Sequence, residues 1–306
     1  MWRQRHCILN GLLLAILALA VSCKTSDDAK ALATQMTSTA KSLSDYYSAL
    51  ADVVDDHAEL ERLQQATIGV PLDQQEQAQL QDVKKELQQR ADAAKALDQL
   101  AQAFTGLTGS KAPSDVSESA TELGTALSSV QNLPGAADAA DALPSAGQIL
   151  TQFAQEHDER KMAKSMDPTM AALSKMFSQE KSTYESIERT YIGLAQSIAF
   201  DLVKKNEVDP GSLMEPALKP FDLTSRIPTE NLPQGLTDYA REQIKDKGEA
   251  DIAAHAKASD TMDKTLQEMS KRTHELATTG SMSQRGLPFT LDNINAWTKS
   301  KKKSAD

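Results

Sequence analysis

From Asp27 to about Gln65 the chain contains neither proline nor glycine, and its apolar positions recur in alternating steps of four and three. The stripe runs Leu32, Met36, Thr39, Leu43, Tyr46, Leu50, Val53, His57 and Leu60. Such a stripe lies along one face of a helix and needs a second helix to cover it. Gly69-Val70-Pro71 interrupts the run, and Asp73 with Glu76 has the spacing of a capping box opening the next helix. That helix carries its own stripe at Leu80, Val83, Leu87, Arg90, Ala94, Leu97, Ala101 and Phe104. Folding the chain back at Val70 pairs positions whose numbers sum to about 140, so Leu60 meets Leu80, Val53 meets Leu87 and Met36 meets Phe104. Bulky Tyr46 falls opposite small Ala94, a size match that close packing requires. The expectation is an antiparallel hairpin over 27–106, with arms of roughly 50–60 Å at 1.5 Å per residue.

The remainder also reads as helix. Ser114 or Asp115 caps a short segment with Val116, Ala120, Leu123, Leu127 and Val130, stopped by Pro134-Gly135. A helix restarts near Ser145 with Ile149, Leu150 and Phe153, and at Asp167-Pro168 the chain either kinks or begins a new helix. The clearest heptad follows at Met170, Leu173, Phe177, Glu180, Tyr184, Ile187, Tyr191, Leu194 and Ile198. Five prolines between 207 and 233 make an extended connection. A last long helix, from about Gln234 to Thr278, has a seam of Tyr239, Ile252, His255, Met262, Leu266, Met269 and Leu276. Leu291, Ile294 and Trp297 then mark a short amphipathic turn before a basic end, Lys299 to Lys303. The fold class expected is all-α, an elongated bundle of long antiparallel helical hairpins with coiled-coil-like seams. Its parts are a cleaved signal (1–22), an N-terminal hairpin (23–106), a short helix with loops (107–147), a second helical pair (148–280) and the amphipathic helix with its basic tail (281–306).

The start of the chain carries an address. Arg3 and Arg5 precede an apolar stretch from about Ile8 to Val21, and Ala20-Val21-Ser22-Cys23 leads into polar Lys24-Thr25-Ser26. This is the order of a secretory signal, with a core shorter than the roughly 20 residues that a spanning helix needs. With cysteine at the boundary it resembles a bacterial lipoprotein signal, although Ala20 stands where a lipobox usually has leucine. The resemblance covers residues 1–23 alone. It implies cleavage before Cys23 and fatty-acyl chains such as palmitate on that residue. It also implies a place in the cell envelope. Lys24 after the cysteine favours the periplasmic face of the outer membrane over the outer leaflet of the inner one. Cys7 lies inside the signal, so Cys23 is the lone cysteine of the mature chain and no internal disulfide can form.

Cleavage removes two basic residues and no acid, leaving 31 Lys and Arg against 43 Asp and Glu, a net charge of −12. An acidic chain of this kind is a poor partner for nucleic acid. Only 4% of residues are aromatic, which suits helices joined by narrow seams rather than a thick core.

Candidate chemistry is sparse. Asp55, Asp56, His57 and Glu61 gather potential metal ligands near one turn, although His57 on the seam reads first as an edge histidine. The Glu-x-x-His pairs of a di-iron bundle are absent, as are a Gly-x-Ser-x-Gly elbow and a glycine-rich phosphate loop. No catalytic constellation emerges, and no cofactor is implied beyond lipid on Cys23. Arg90 and Glu180 break the two best seams near mid-helix. Either they face each other where the hairpins pack, setting register, or each snorkels to water. The four terminal lysines beside Trp297 resemble an interfacial anchor, while a terminal charge run is more often simply solvated. The expected function is a membrane-anchored helical scaffold or adaptor that binds an envelope protein, with a metal- or small-ligand-binding lipoprotein as the alternative.

Overall fold

The computed structural model describes residues 2–69, 71, 73–107, 113–130, 159–205, 207–208, 233–282 and 290–303; of the side chains of 2–26 and of a few at helix ends nothing is described. The chain is all-helical there: α1 (Trp2–Ile68), α2 (Gln74–Leu107), α3 (Pro113–Ser129), α4 (Glu159–Lys204), α5 (Gln234–Thr279) and α6 (Asp292–Lys303). No strand occurs among the described residues. The helix predicted near Ser145 and most of the proline-rich connection 207–233 lie outside the described residues.

Two hairpins, α1–α2 and α4–α5, pack on each other through α1 and α4, with α3 on α2 and α6 on α1 and α5. The stripe read from the sequence is the buried face: Leu32, Met36, Leu43, Leu50 and Val53 of α1 and Leu87, Leu97 and Ala101 of α2 are all enclosed. Register follows the fold-back at Val70. Lys84 pairs with Asp55 at 2.7 Å, and the Ser44 hydroxyl donates to the Ala91 carbonyl at 3.0 Å. Asp73 caps α2, its Oδ1 accepting from the backbone N–H of Gln75 (2.8 Å) and Glu76 (3.3 Å). Glu76 does not close the expected capping box reciprocally; its carboxyl lies against Glu61.

Apolar contacts fall into two zones. One end joins Leu32 and Met36 to Leu97, Leu123, Leu127, Met166, Met269 and Leu276. The middle joins Tyr46, Tyr47, Leu50 and Leu87 to Phe177, Tyr184, Met262, Leu266, Ile294 and Trp297. The α1–α2 turn lies at the opposite end of α1 from residue 27, about 60 Å away at 1.5 Å per residue.

Two expectations change and one alternative is settled. At Pro168, where the sequence leaves a kink or a new helix open, no new helix begins: α4 runs through it, on a stretch where Lys164, four residues before, is exposed and one missing backbone bond costs least. Tyr239 is 40% exposed, because the buried face of α5 at that end runs through Ala240 and Gly248 rather than Tyr239. In the basic end Lys301 is buried and ion-paired within the bundle, whereas Lys299 and Lys302 are exposed.

At the far part of the second hairpin, Gly248 lets α5 approach α4. A methyl group there would meet Ile192 Cγ2 at 2.9 Å and strike the Gln196 amide, which donates to the Ile244 (3.2 Å) and Lys245 (3.1 Å) carbonyls. Gly248→Ala is expected to lower stability by about 1–2 kcal/mol, the clash outweighing the roughly 1 kcal/mol gain in helix propensity. Chemical denaturation checks it, and a stabilised variant would show that Gln196 swings aside freely.

Candidate functional site

The two polar residues that interrupt the seams meet. The Arg90 side chain is fully enclosed, and its guanidinium forks onto Glu180: Nε lies 3.0 Å from Oε2 and Nη2 lies 2.6 Å from Oε1. Nη1 also donates to the Glu86 carboxylate and carbonyl, both at 3.1 Å. The Tyr184 hydroxyl bonds to Glu180 and stands 3.3 Å from the Tyr47 hydroxyl. Burial opposes the Arg90 charge, yet Glu180 outweighs it and raises the guanidinium pKa. Burial first, then neighbouring charge, lifts the Tyr47 and Tyr184 phenols above their ordinary range. A fork of this kind has one geometry, so it fixes how α2 and α4 sit against each other.

Beside it lies an aromatic group. Tyr46 packs on Phe177 (5.6 Å between centroids), Tyr184 (6.1 Å), His255 (5.7 Å) and Trp297 (5.2 Å). The Tyr46 ring therefore reaches well beyond its expected partner Ala94. His255, 1% exposed, has its Nε2 2.9 Å from the Tyr46 hydroxyl, and its ring is 4.5 Å from Trp297. Burial, reinforced by the Lys301 charge, lowers its pKa to about 3, so the ring is neutral and shares a single hydrogen bond with the Tyr46 hydroxyl.

A third group closes the middle. Glu188 is fully buried and its Oε1 lies 2.6 Å from Lys301 Nζ, with Asp251 Oδ2 at 3.4 Å from the same amine. Burial pushes the Glu188 pKa up, while Lys301 pulls it the other way. Lys302 pairs with Asp45 at 2.8 Å. None of Glu188, Lys301 or the Tyr46–His255 pair was singled out in the sequence as a site.

The histidine and carboxylates near the first turn are dispersed. Asp55 turns to Lys84, and His57 Nε2 is 3.6 Å from Glu61 Oε1. Burial lowers the His57 pKa, with Glu61 opposing. Asp56 is exposed, and burial followed by its acidic neighbours raises its pKa. Among the described residues no group of three or more His, Cys, Asp or Glu is placed to hold a metal ion. Two adjoining clefts do open here, of about 430 and 350 Å³, both lined by His57, Glu76 and Thr190.

Cys23 falls within α1, its side chain outside what the structure describes. Among the described residues no helix is long and apolar enough to cross a membrane. No protein-family model, no curated protein and no solved structure matches the chain.

Proposed function

We propose that this chain is a lipid-anchored envelope protein, acylated at Cys23, that serves as a helical scaffold or adaptor for another envelope protein. The observation that carries the reading is the polarity of the bundle relative to that cysteine. Asp28, Ala29 and Leu32 are already buried, so no more than about five residues, under 20 Å of chain, separate the lipid from the folded body. Asp28 ties this end further by accepting from the Met282 backbone N–H at 3.0 Å. A membrane at Cys23 therefore has the packed end beside it and the α1–α2 turn about 60 Å away. Two or three acyl chains hold such a body stably, where one would not. The outer membrane's periplasmic leaflet is the favoured location, and the inner membrane's outer leaflet is the other.

Cys23→Ser, followed by membrane fractionation and in-cell crosslinking, tests the reading. The expected result is loss of the chain from the membrane pellet together with loss of one stoichiometric crosslinked protein. Unchanged membrane attachment would remove the lipid from the argument.

The clefts at His57 and Glu76 favour a second reading, a small-ligand or metal carrier. Thermal unfolding with and without divalent cations separates the two, since a carrier is stabilised in proportion to the logarithm of ligand concentration.

A further inference from the structure

We propose that the groove between α1, α4 and α5, filled here by α6, is a receptor for a basic amphipathic helix of a partner protein, and that α6 holds it closed in cis. The groove's chemistry selects such a helix. Its wall offers the rings of Tyr46 and His255, and carboxylates stand along it at Asp45, Glu188 and Asp251. The occupant answers with Ile294, Trp297 and Lys301, at steps of three and four on one face, and with Lys302 at the rim. The partner helix is thus one with an apolar residue, an aromatic residue one turn on and a lysine one turn beyond that.

One feature makes α6 replaceable: it has 12 residues, a length at which a helix is marginal in water without its docking surface. Besides the ring cluster and the lysine pairs, it is held by Asn293 Nδ2 donating to Thr261 Oγ1 at 3.1 Å and by Ser42 Oγ donating to Asn295 Oδ1 at 3.3 Å. This inference supplies the partner chemistry of the adaptor reading and rests on that reading for its cellular meaning; the binding itself needs no membrane.

The test uses the full-length chain carrying Cys23→Ser and a fluorescein-labelled peptide of residues 290–306 as probe, followed by anisotropy. Trp297→Ala, which loosens α6, is expected to bind the peptide at least about tenfold more tightly than the parent, because the open groove is more populated. Adding Glu188→Gln is expected to reverse that gain. A Trp297→Ala chain that stays helical by circular dichroism and binds no better than the parent would overturn the proposal. If that variant loses helicity, hydrogen exchange on the parent decides. Amides of α6 exchanging about a hundredfold faster than those around Met262 to Met269 support release, and equal protection overturns it. Dimers formed by exchange of α6 between copies would assign the groove to a second copy instead. Membrane attachment is read separately by fractionation, so failure of peptide binding leaves the lipid reading standing, and the reverse holds too.

Discussion

Arg90→Met is expected to lower the free energy of unfolding by about 3–5 kcal/mol, a large share of the 5–15 kcal/mol that a domain commonly has. The cause is what the substitution leaves behind. Glu180 is fully buried, and its carboxylate would keep the Tyr184 hydroxyl but lose both arms of the guanidinium fork. Glu86 suffers less, because its side chain reaches water. Replacing both ends of the pair, Arg90→Met with Glu180→Met, removes the stranded charge and is expected to recover most of the loss, since apolar groups of similar volume often substitute for a buried ion pair. Urea unfolding of the four chains of this cycle, followed by circular dichroism, measures the coupling. Additive losses would mean that the fork contributes nothing as a pair.

Acidification is expected to weaken the bundle through His255. Its folded pKa, about 3, lies below its ordinary 6.5, so the unfolded chain binds the proton more readily. The stability that a neutral His255 confers is therefore complete above pH 6.5 and is lost as pH falls toward 3, with a slope of up to about 1.4 kcal/mol per pH unit. Glu188 acts in the opposite sense. Its raised folded pKa gives a contribution present below its ordinary 4.5 and lost as pH rises through the folded value. The two overlap near pH 5, so the parent curve alone does not isolate the histidine. His255→Gln keeps a hydrogen-bonding partner for the Tyr46 hydroxyl and does not titrate. Its stability is expected to fall less steeply than the parent's between pH 6.5 and 3, and parallel curves would show that His255 is not the responsible group.

The sequence disclosed whatever was written along a single helix. The heptad stripes located the buried faces of both hairpins, and the turn at Val70 set the register that Lys84–Asp55 and Ser44–Ala91 display. Arg90 and Glu180 drew notice because each interrupts an otherwise apolar stripe, which is a one-dimensional signal. Glu188 gave no such signal. It sits between Ile187 and Tyr191, beside the seam, where periodicity assigns a solvated face. Its lysine partner comes from α6, a separate element arriving later in the chain, and no pattern within α4 encodes that arrival. Lys301 was hidden for the matching reason: four closely spaced lysines look like a solvated run until an acidic partner is supplied from elsewhere. Tyr239 failed in the other direction, since the buried face of α5 at that end runs through Ala240 and Gly248, a shift of phase that the seam residues further along do not reveal.

The docking of α6 also bears on the order in which the molecule can be completed. Lys302 reaches back to Asp45 across 257 positions, and Trp297 closes the ring cluster begun by Tyr46. Contacts of that separation form late, after the local hairpins have paid most of the chain entropy. Both hairpins are therefore synthesised before the centre can shut. Until then the nascent protein carries a half-built middle, with Tyr46, His255 and Glu188 open to whatever shares the compartment. A stop codon anywhere before residue 290 would make that interval permanent, because α6, Asp292–Lys303, would then be missing.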